Sequence, residues 1–250
     1  MTDKAFSSAN GSISSAAIFG NAEYKLTQDV AIQVGARYYW ADLDQLTHID
    51  TTSAIFGTIA GTTQVGAGKS NAFTPLATLT WRATDEVVFY ARYASGFRDG
   101  GTNFTVPTEP TIVPDFGPEK IKSYELGAKT QLTNWLTANA AIYRNDWTDL
   151  QLFFVTPSGL FNYIKNAGKV KSVGGELEVA ARLADGLSLG VNLATVDSTI
   201  QSNVVNALGG IVVTGGNLLV SLRHVFGPRE HRRTQEQGVW QLEPAICCPD

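Results

Sequence analysis

Between Lys120 and Leu183 the chain carries long runs in which apolar and polar residues alternate, a period of two that makes extended strands with one apolar face. Tyr124, Leu126, Ala128 and Leu132 alternate with Glu125, Gly127, Lys129 and Gln131. Leu136 to Ile142 repeats the pattern after a short turn. Further on, Val173, Gly175, Leu177, Val179 and Ala181 oppose Gly174, Glu176, Glu178 and Arg182. Runs this long do not suit an ordinary globular sheet, whose strands usually hold about 3–10 residues.

The same grammar extends upstream and downstream. Residues 1–11 are small and polar and read as a disordered start, and Ser12 to Leu26 alternates loosely up to the turn Thr27-Gln28-Asp29. Val30, Ile32, Val34, Ala36, Tyr38 and Trp40 then share one face, with Gln33, Gly35 and Arg37 on the other. Ala41 to Ser70 is rich in Asp, Thr and Gly without a sustained period and reads as an extended surface loop. From Asn71 a strand resumes, with Pro75 near its start, where a missing N–H is tolerable. Phe73, Ala77, Leu79 and Trp81 lead through the turn at 83–86 to Val87, Phe89, Ala91 and Tyr93, opposite Arg92. Arg98 to Glu119, with four prolines, is a second long loop. After Ala184-Asp185-Gly186, Leu187, Leu189, Val191 and Leu193 alternate with Ser188, Gly190 and Asn192. The pattern yields about eight strands. It divides the chain into a start at 1–11, a β-domain at 12–200, a loop at 201–216 and an atypical tail at 217–250.

Charge and cysteine usage exclude several functions. A net charge of −4, a pI near 5.4 and no basic run before Arg223 argue against a nucleic-acid surface. Cys247 and Cys248 are the only cysteines, so neither a disulfide framework nor a four-ligand zinc site is expected. Gly66-Ala67-Gly68-Lys69-Ser70 resembles the end of a phosphate-binding loop, but Thr63 stands where that pattern wants glycine, and a strand follows where a helix should. Gly186-Leu187-Ser188-Leu189-Gly190 fits a nucleophile-elbow pattern, yet Ser188 opens a strand straight after a turn. Asp146, Asp149, Glu176 and Glu178 read as solvated residues rather than paired acids. No catalytic, cofactor or metal site is expected. The uncharged run from Ser198 to Leu222 is broken by Gly209-Gly210 and Gly215-Gly216 and shows no helical period, so it reads as a polar loop running into a strand rather than a membrane helix. The N-terminus lacks a basic region followed by a long apolar core, so no signal peptide is expected in this chain.

Alternation alone fits a membrane barrel or a soluble sandwich. Two features favour the barrel. Turns near 28, 85, 134 and 185 are tight, whereas the opposite connections after 41 and 98 are long; a third, around Pro157 to Leu160, is short. Aromatic residues also gather at two levels: Tyr24, Trp81, Phe89 and Trp135 beside the tight turns, and Trp40, Phe97 and Trp147 about ten residues further on, the length a tilted strand needs to cross a bilayer. The expected fold is all-β, an antiparallel up-and-down transmembrane β-barrel segment of about eight strands. Its apolar face meets lipid, and Arg92, Glu125, Lys129, Glu176, Glu178 and Arg182 line the lumen. A small closed barrel with an anchoring or adhesion role and a soluble β-sandwich stand as alternatives.

A series of phrases carries a family resemblance. Tyr124-Glu125-Leu126-Gly127-Ala128-Lys129, Asp146-Trp147-Thr148-Asp149-Leu150-Gln151, Asn166-Ala167-Gly168-Lys169 and Gly175-Glu176-Leu177-Glu178 resemble barrel strands of TonB-dependent outer-membrane receptors. So do Ala91-Arg92-Tyr93-Ala94-Ser95-Gly96-Phe97-Arg98 with Gly100, Gly101 and Asn103, and Phe19-Gly20 and Gly35-Ala36-Arg37-Tyr38. The resemblance covers residues 16–200. It implies a wall segment of a barrel of roughly 22 strands, located in the outer membrane of a Gram-negative cell in contact with its lipid. It also implies uptake of a scarce small-molecule nutrient such as an iron–siderophore complex, driven by the TonB complex through a plug that this chain lacks. No enzyme activity is implied. Ligand contacts would lie in loops 41–70 and 98–119, where Arg98 and Asn103 match a family phrase. The tail from 217 to 250, with Arg223, Arg229, Arg232, Arg233 and the two cysteines, departs from the resemblance and reads as frameshifted or disordered sequence.

Overall fold

The long alternating runs pair as antiparallel strands in a computed structural model, which describes residues 4–53, 57–106, 108–205, 211–213, 216 and 218–222. In chain order the strands are β1 (Lys4–Lys25), β2 (Val30–Ser53), β3 (Gly57–Arg82), β4 (Val87–Arg98), β5 (Gly101–Thr102), β6 (Asp115–Phe116), β7 (Glu119–Thr133), β8 (Leu136–Thr148), β9 (Gln151–Val155), β10 (Asn162–Asn166), β11 (Lys169–Ala184), β12 (Leu187–Ile200), β13 (Val204–Val205), β14 (Ile211–Val213) and β15 (Leu218–Leu222). Nine form one sheet in the order β1-β2-β3-β4-β7-β8-β11-β12-β15. Each large strand pairs antiparallel with the next along this order, the up-and-down arrangement that tight turns impose. The sheet does not close on itself, and among the described residues β1 and β15 are its two ends.

Threonine builds most of the tight turns. The Thr27 hydroxyl accepts from the Asp29 and Val30 amides at 3.2 and 3.0 Å. Thr84 accepts from Glu86 N at 3.1 Å, and Thr133 accepts from Trp135 N at 3.3 Å. Each hydroxyl satisfies an amide that the ladder cannot reach. The fourth turn uses Gly186 at φ +82, a conformation a Cβ would strain.

Four expectations are corrected. Residues 4–11, expected to be disordered, belong to β1 and pair from Lys4↔Thr52 to Gly11↔Gln45. Ala41 to Ser53 and Gly57 to Ser70, within the stretch expected to be a loop, form the outer half of the β2–β3 hairpin, paired from Ala41↔Ser70 to Ser53↔Gly57 with one register shift between Ile49 and Thr51. Backbone hydrogen bonds make this ladder. Without an apolar phase against either face, side chains have no reason to alternate. The connection taken as short at Pro157 to Leu160 is only the tip of a β9–β10 hairpin within the stretch 149–168 between β8 and β11. The loop expected at 201–216 holds the pair β13–β14, and the tail expected from 217 begins with β15, which pairs with β12. The tail beyond Leu222 lies outside the described residues.

The buried core sits at one end of the sheet. Val106, Ile112, Phe154, Tyr163, Val170, Ile200 and Val204 form one cluster, with Trp147, Phe104 and Leu152 packed against it. The ends of β11 and β12 supply Val170 and Ile200, the connections 98–119 and 149–168 supply Val106, Ile112, Phe154 and Tyr163, and β13 supplies Val204, so those connections fold over the end of the sheet as a cap. The β3–β4 ladder stops at Leu76↔Ala94, beside Pro75, which has no N–H to donate. Above that point β4 parts from β3.

Candidate functional site

Directly paired residues of an antiparallel sheet face the same side, so the register assigns each side chain to a face. One row runs Thr78, Arg92, Glu125, Tyr143, Gly174 and Val196, and the next runs Thr80, Tyr90, Gly127, Ala141, Glu176 and Ala194. A third joins Val88, Lys129, Asn139, Glu178 and Asn192, and Arg182 pairs with Ser188 on the same side. Arg92, Glu125, Lys129, Glu176, Glu178 and Arg182 therefore share one face. The opposite face carries Leu126, Ile142, Leu177, Leu189, Leu79 and Phe89, each at least 39% exposed, an arrangement water would oppose and lipid would favour.

The polar face is rigidified by a repeated device. Tyr90 lies over Gly127 and Tyr143 over Gly174, so that a Cβ on either glycine would enter the neighbouring ring. Tyr90 donates to Glu125 Oε1 at 2.6 Å, and the Lys129 ammonium stands 5.8 Å from the Tyr90 ring centre.

At the capped end a set of side chains clasps the connections together. Asn103 is 8% exposed; its amide donates to Val113 O and Ile164 O and accepts from Ile164 N, all at 2.8 Å. Asn166 donates to Gly117 O at 2.9 Å and Asp149 O at 2.8 Å, and accepts from Gly117 N at 2.6 Å. Gln151 donates its side-chain amide to Asp99 O at 2.7 Å and Gly117 O at 3.0 Å. Glu119 accepts from Gln151 N at 2.9 Å and from Arg98 at 2.8 Å. Both Asn103 side-chain hydrogens are thus committed to the protein, and Arg98 is held by Glu119. These geometries suit positioning roles. The phrases around Asp149-Leu150-Gln151 and Asn166-Ala167-Gly168 are the two sides of the clasp, with Asp149 at φ +56 and Gly168 at φ +84.

A recess of about 290 Å³ opens on the polar side between the upper parts of β1, β2 and β3 and the segments 99–101 and 115–118. Ile13, Leu43, Gly68 and Phe116 line it together with Ser70 and Asp99. Ser70 is 6% exposed, and among the described residues neither its hydroxyl nor Asp99 Oδ1 has a hydrogen-bond partner, while Asp99 Oδ2 accepts from Tyr39 at 2.9 Å. Buried polar atoms of this kind are normally satisfied. Neither residue stands out in the sequence, because chain segments far apart meet here.

A family profile described as "TonB dependent receptor-like, beta-barrel" matches residues 2–229. The chain belongs to this receptor family. The pesticin receptors of Yersinia enterocolitica and Yersinia pestis are both 30% identical to it, over 178 and 180 residues, covering 70% of this chain and 25% of theirs. The chain thus spans about a quarter of the length of the curated relatives it matches. Its structure is similar to the ferric yersiniabactin uptake receptor FyuA from Yersinia pestis, with TM-score 0.66 and 25% identity over 78% of this chain and 28% of that one. The siderophore receptor PiuA from Acinetobacter baumannii aligns with TM-score 0.61 and 19% identity over 84% of this chain and 28% of its own.

Within this TonB-dependent receptor barrel segment, the expected aromatic levels separate. Tyr24, Trp40, Trp81 and Phe89 share the apolar face, Trp81 stacking on Phe89 at 5.6 Å, and Trp135 stands at a tight turn. Trp147 is corrected: it pairs with Ile121 and Val170 on the polar-face parity and packs against the core, so it anchors the cap instead of facing outward. Phe97 keeps the outward parity in the β4–β7 ladder, yet its ring lies 5.0 Å from Tyr39, because β4 has left β3 by that point.

Proposed function

We propose that this chain is part of the wall of an outer-membrane receptor for energised uptake of iron–siderophore complexes or similarly scarce nutrients. The observation that carries the reading is the division of one sheet into two faces. From the row of Leu126 to the tight turns, the outward positions of β4, β7, β8, β11 and β12 hold no charged residue, while the inward positions of the same strands hold Arg92, Glu125, Lys129, Glu176, Glu178 and Arg182. A hydrocarbon phase outside and water inside account for that division. Lipid of the outer membrane is then the outer partner, and the TonB complex would drive uptake through the receptor's plug. The recess bearing Ser70 and Asp99 is the place where this wall would offer polar contacts to a ligand.

Alone, the segment does not transport. The open edges at β1 and β15 would leave backbone groups unpaired in hydrocarbon at several kcal/mol each, so the sheet needs further strands to close. The test is the isolated chain in detergent and in receptor-deficient cells. Detergent dependence and heat-modifiable gel mobility are expected, with no iron–siderophore uptake; a soluble monomer without detergent overturns the membrane reading, and uptake by the chain alone overturns the wall reading.

A further inference from the structure

The outward faces of β7, β8 and β11 carry a feature that uptake does not use. Just above the uncharged belt, toward the long connections, Lys120 and Lys122 of β7, Arg144 of β8 and Lys169 and Lys171 of β11 all have outward parity. Lys122, Asp146 and Lys171 form one row across the three strands, and Lys120, Thr148 and Lys169 form the row beyond it. Neighbouring strands lie about 4.8 Å apart and alternate residues along a strand about 6.7 Å apart, so these cations occupy a shelf the size of one or two phosphates. The acids on these rows are Asp146, which binds Arg144 at 2.9 Å, and Asp197, two against five cations. At the tight-turn end the outward face of the same strands has no counterpart, because Leu132, Leu136, Leu183 and Leu187 stand there.

Directly below the shelf is an apolar groove of about 600 Å³ on the outward face, lined by Leu79, Ala91, Tyr93, Tyr124, Leu126 and Ile142 and bordered by Arg144. Tyr93 and Tyr124, with ring centres 5.2 Å apart, line its upper end in the row of Arg144, one row below Lys122 and Lys171. Apolar walls meeting a cationic rim complement one kind of occupant, a molecule with hydrocarbon chains and an anionic head. We propose that this surface holds a single phosphate-bearing lipid of the outer leaflet, its phosphate on Lys122, Arg144 and Lys171 and its chains along the groove. The proposal rests on the outward face meeting lipid. Arg144 remains bound to Asp146 and offers its outer guanidinium edge, and the two lysines flanking Asp146 supply the excess positive charge.

The full chain is inserted into phosphatidylcholine vesicles containing a minor fraction of bisphosphorylated lipid A, extracted in mild detergent, and assayed for co-purifying lipid phosphate. Insertion is scored separately by heat-modifiable mobility. Retained lipid A is expected with the wild-type chain, falling about tenfold or more in Lys122→Gln/Arg144→Gln/Lys171→Gln, with insertion unchanged. The control variant Lys129→Gln, on the inward face, is expected to retain lipid as wild type does. Equal retention by wild type and the triple variant overturns the proposal, as does displacement of the lipid by inorganic phosphate alone, which would make free phosphate the ligand. A chain that inserts without holding lipid sinks this inference only, whereas a chain that does not insert removes the membrane reading beneath it.

Discussion

Asn103→Ala should open the cap while leaving the wall intact. The amide spans three segments, and its loss orphans Val113 O, Ile164 O and Ile164 N, which it now meets at 2.8 Å each. At about 1 kcal/mol per net hydrogen bond the change costs about 3 kcal/mol, more where water cannot reach the orphaned groups. That corresponds to roughly a hundredfold increase in local opening. Hydrogen exchange of detergent-solubilised protein reads this directly: amides of β9 and β10 should exchange about a hundred times faster, and those of β4 and β7 should not change. Exchange of β10 within about threefold of wild type would refute the clasp and return Asn103 to the ligand-contact role suggested by its place in a loop.

Three further outcomes follow from the same geometry. Gly127→Ala places a methyl inside the Tyr90 ring and should cost about 1–3 kcal/mol; in Tyr90→Ala that cost should vanish, and additive penalties in the double-mutant cycle would contradict the stacking. Leu126→Arg, on the outward face at 56% exposure, should destabilise the inserted protein by about 2–4 kcal/mol, whereas Thr78→Arg on the inward face should be near neutral in the same unfolding titration. Burial pushes the Tyr163 phenol above its ordinary 10.0. The stability it contributes is fully present below pH 10 and declines as pH rises through its higher folded value, so the cap should loosen above pH 10. Ultraviolet titration should then show a late-ionising tyrosine that Tyr163→Phe removes.

Alternation at Tyr124–Leu132, Leu136–Ile142 and Leu187–Leu193 was enough to find the strands and their faces, because a side chain's face depends only on its parity along the strand. The same parity separates Trp147 from Ile142 by an odd interval, so its inward direction was readable, whereas spacing from the turn gave only its level. The outer β2–β3 hairpin was not readable. Asp42, Asp44, Thr47 and Gln64 have no apolar partner phase on either side, and pairing made by backbone groups leaves no mark in side-chain hydrophobicity.

Local sequence thus determined a sheet with one apolar and one polar face, since alternation acts on each strand independently of its neighbours. Tertiary structure alone decided that Asn103, Asn166, Gln151, Glu119 and Arg98 form one clasp, that Ser70 and Asp99 meet in one recess, and that Lys122, Arg144 and Lys171 share one shelf. Each of these groups joins residues from different strands or loops, and their proximity depends on cross-strand register and on how the connections fold back. Register is a property of pairs of segments, which no single stretch of sequence contains.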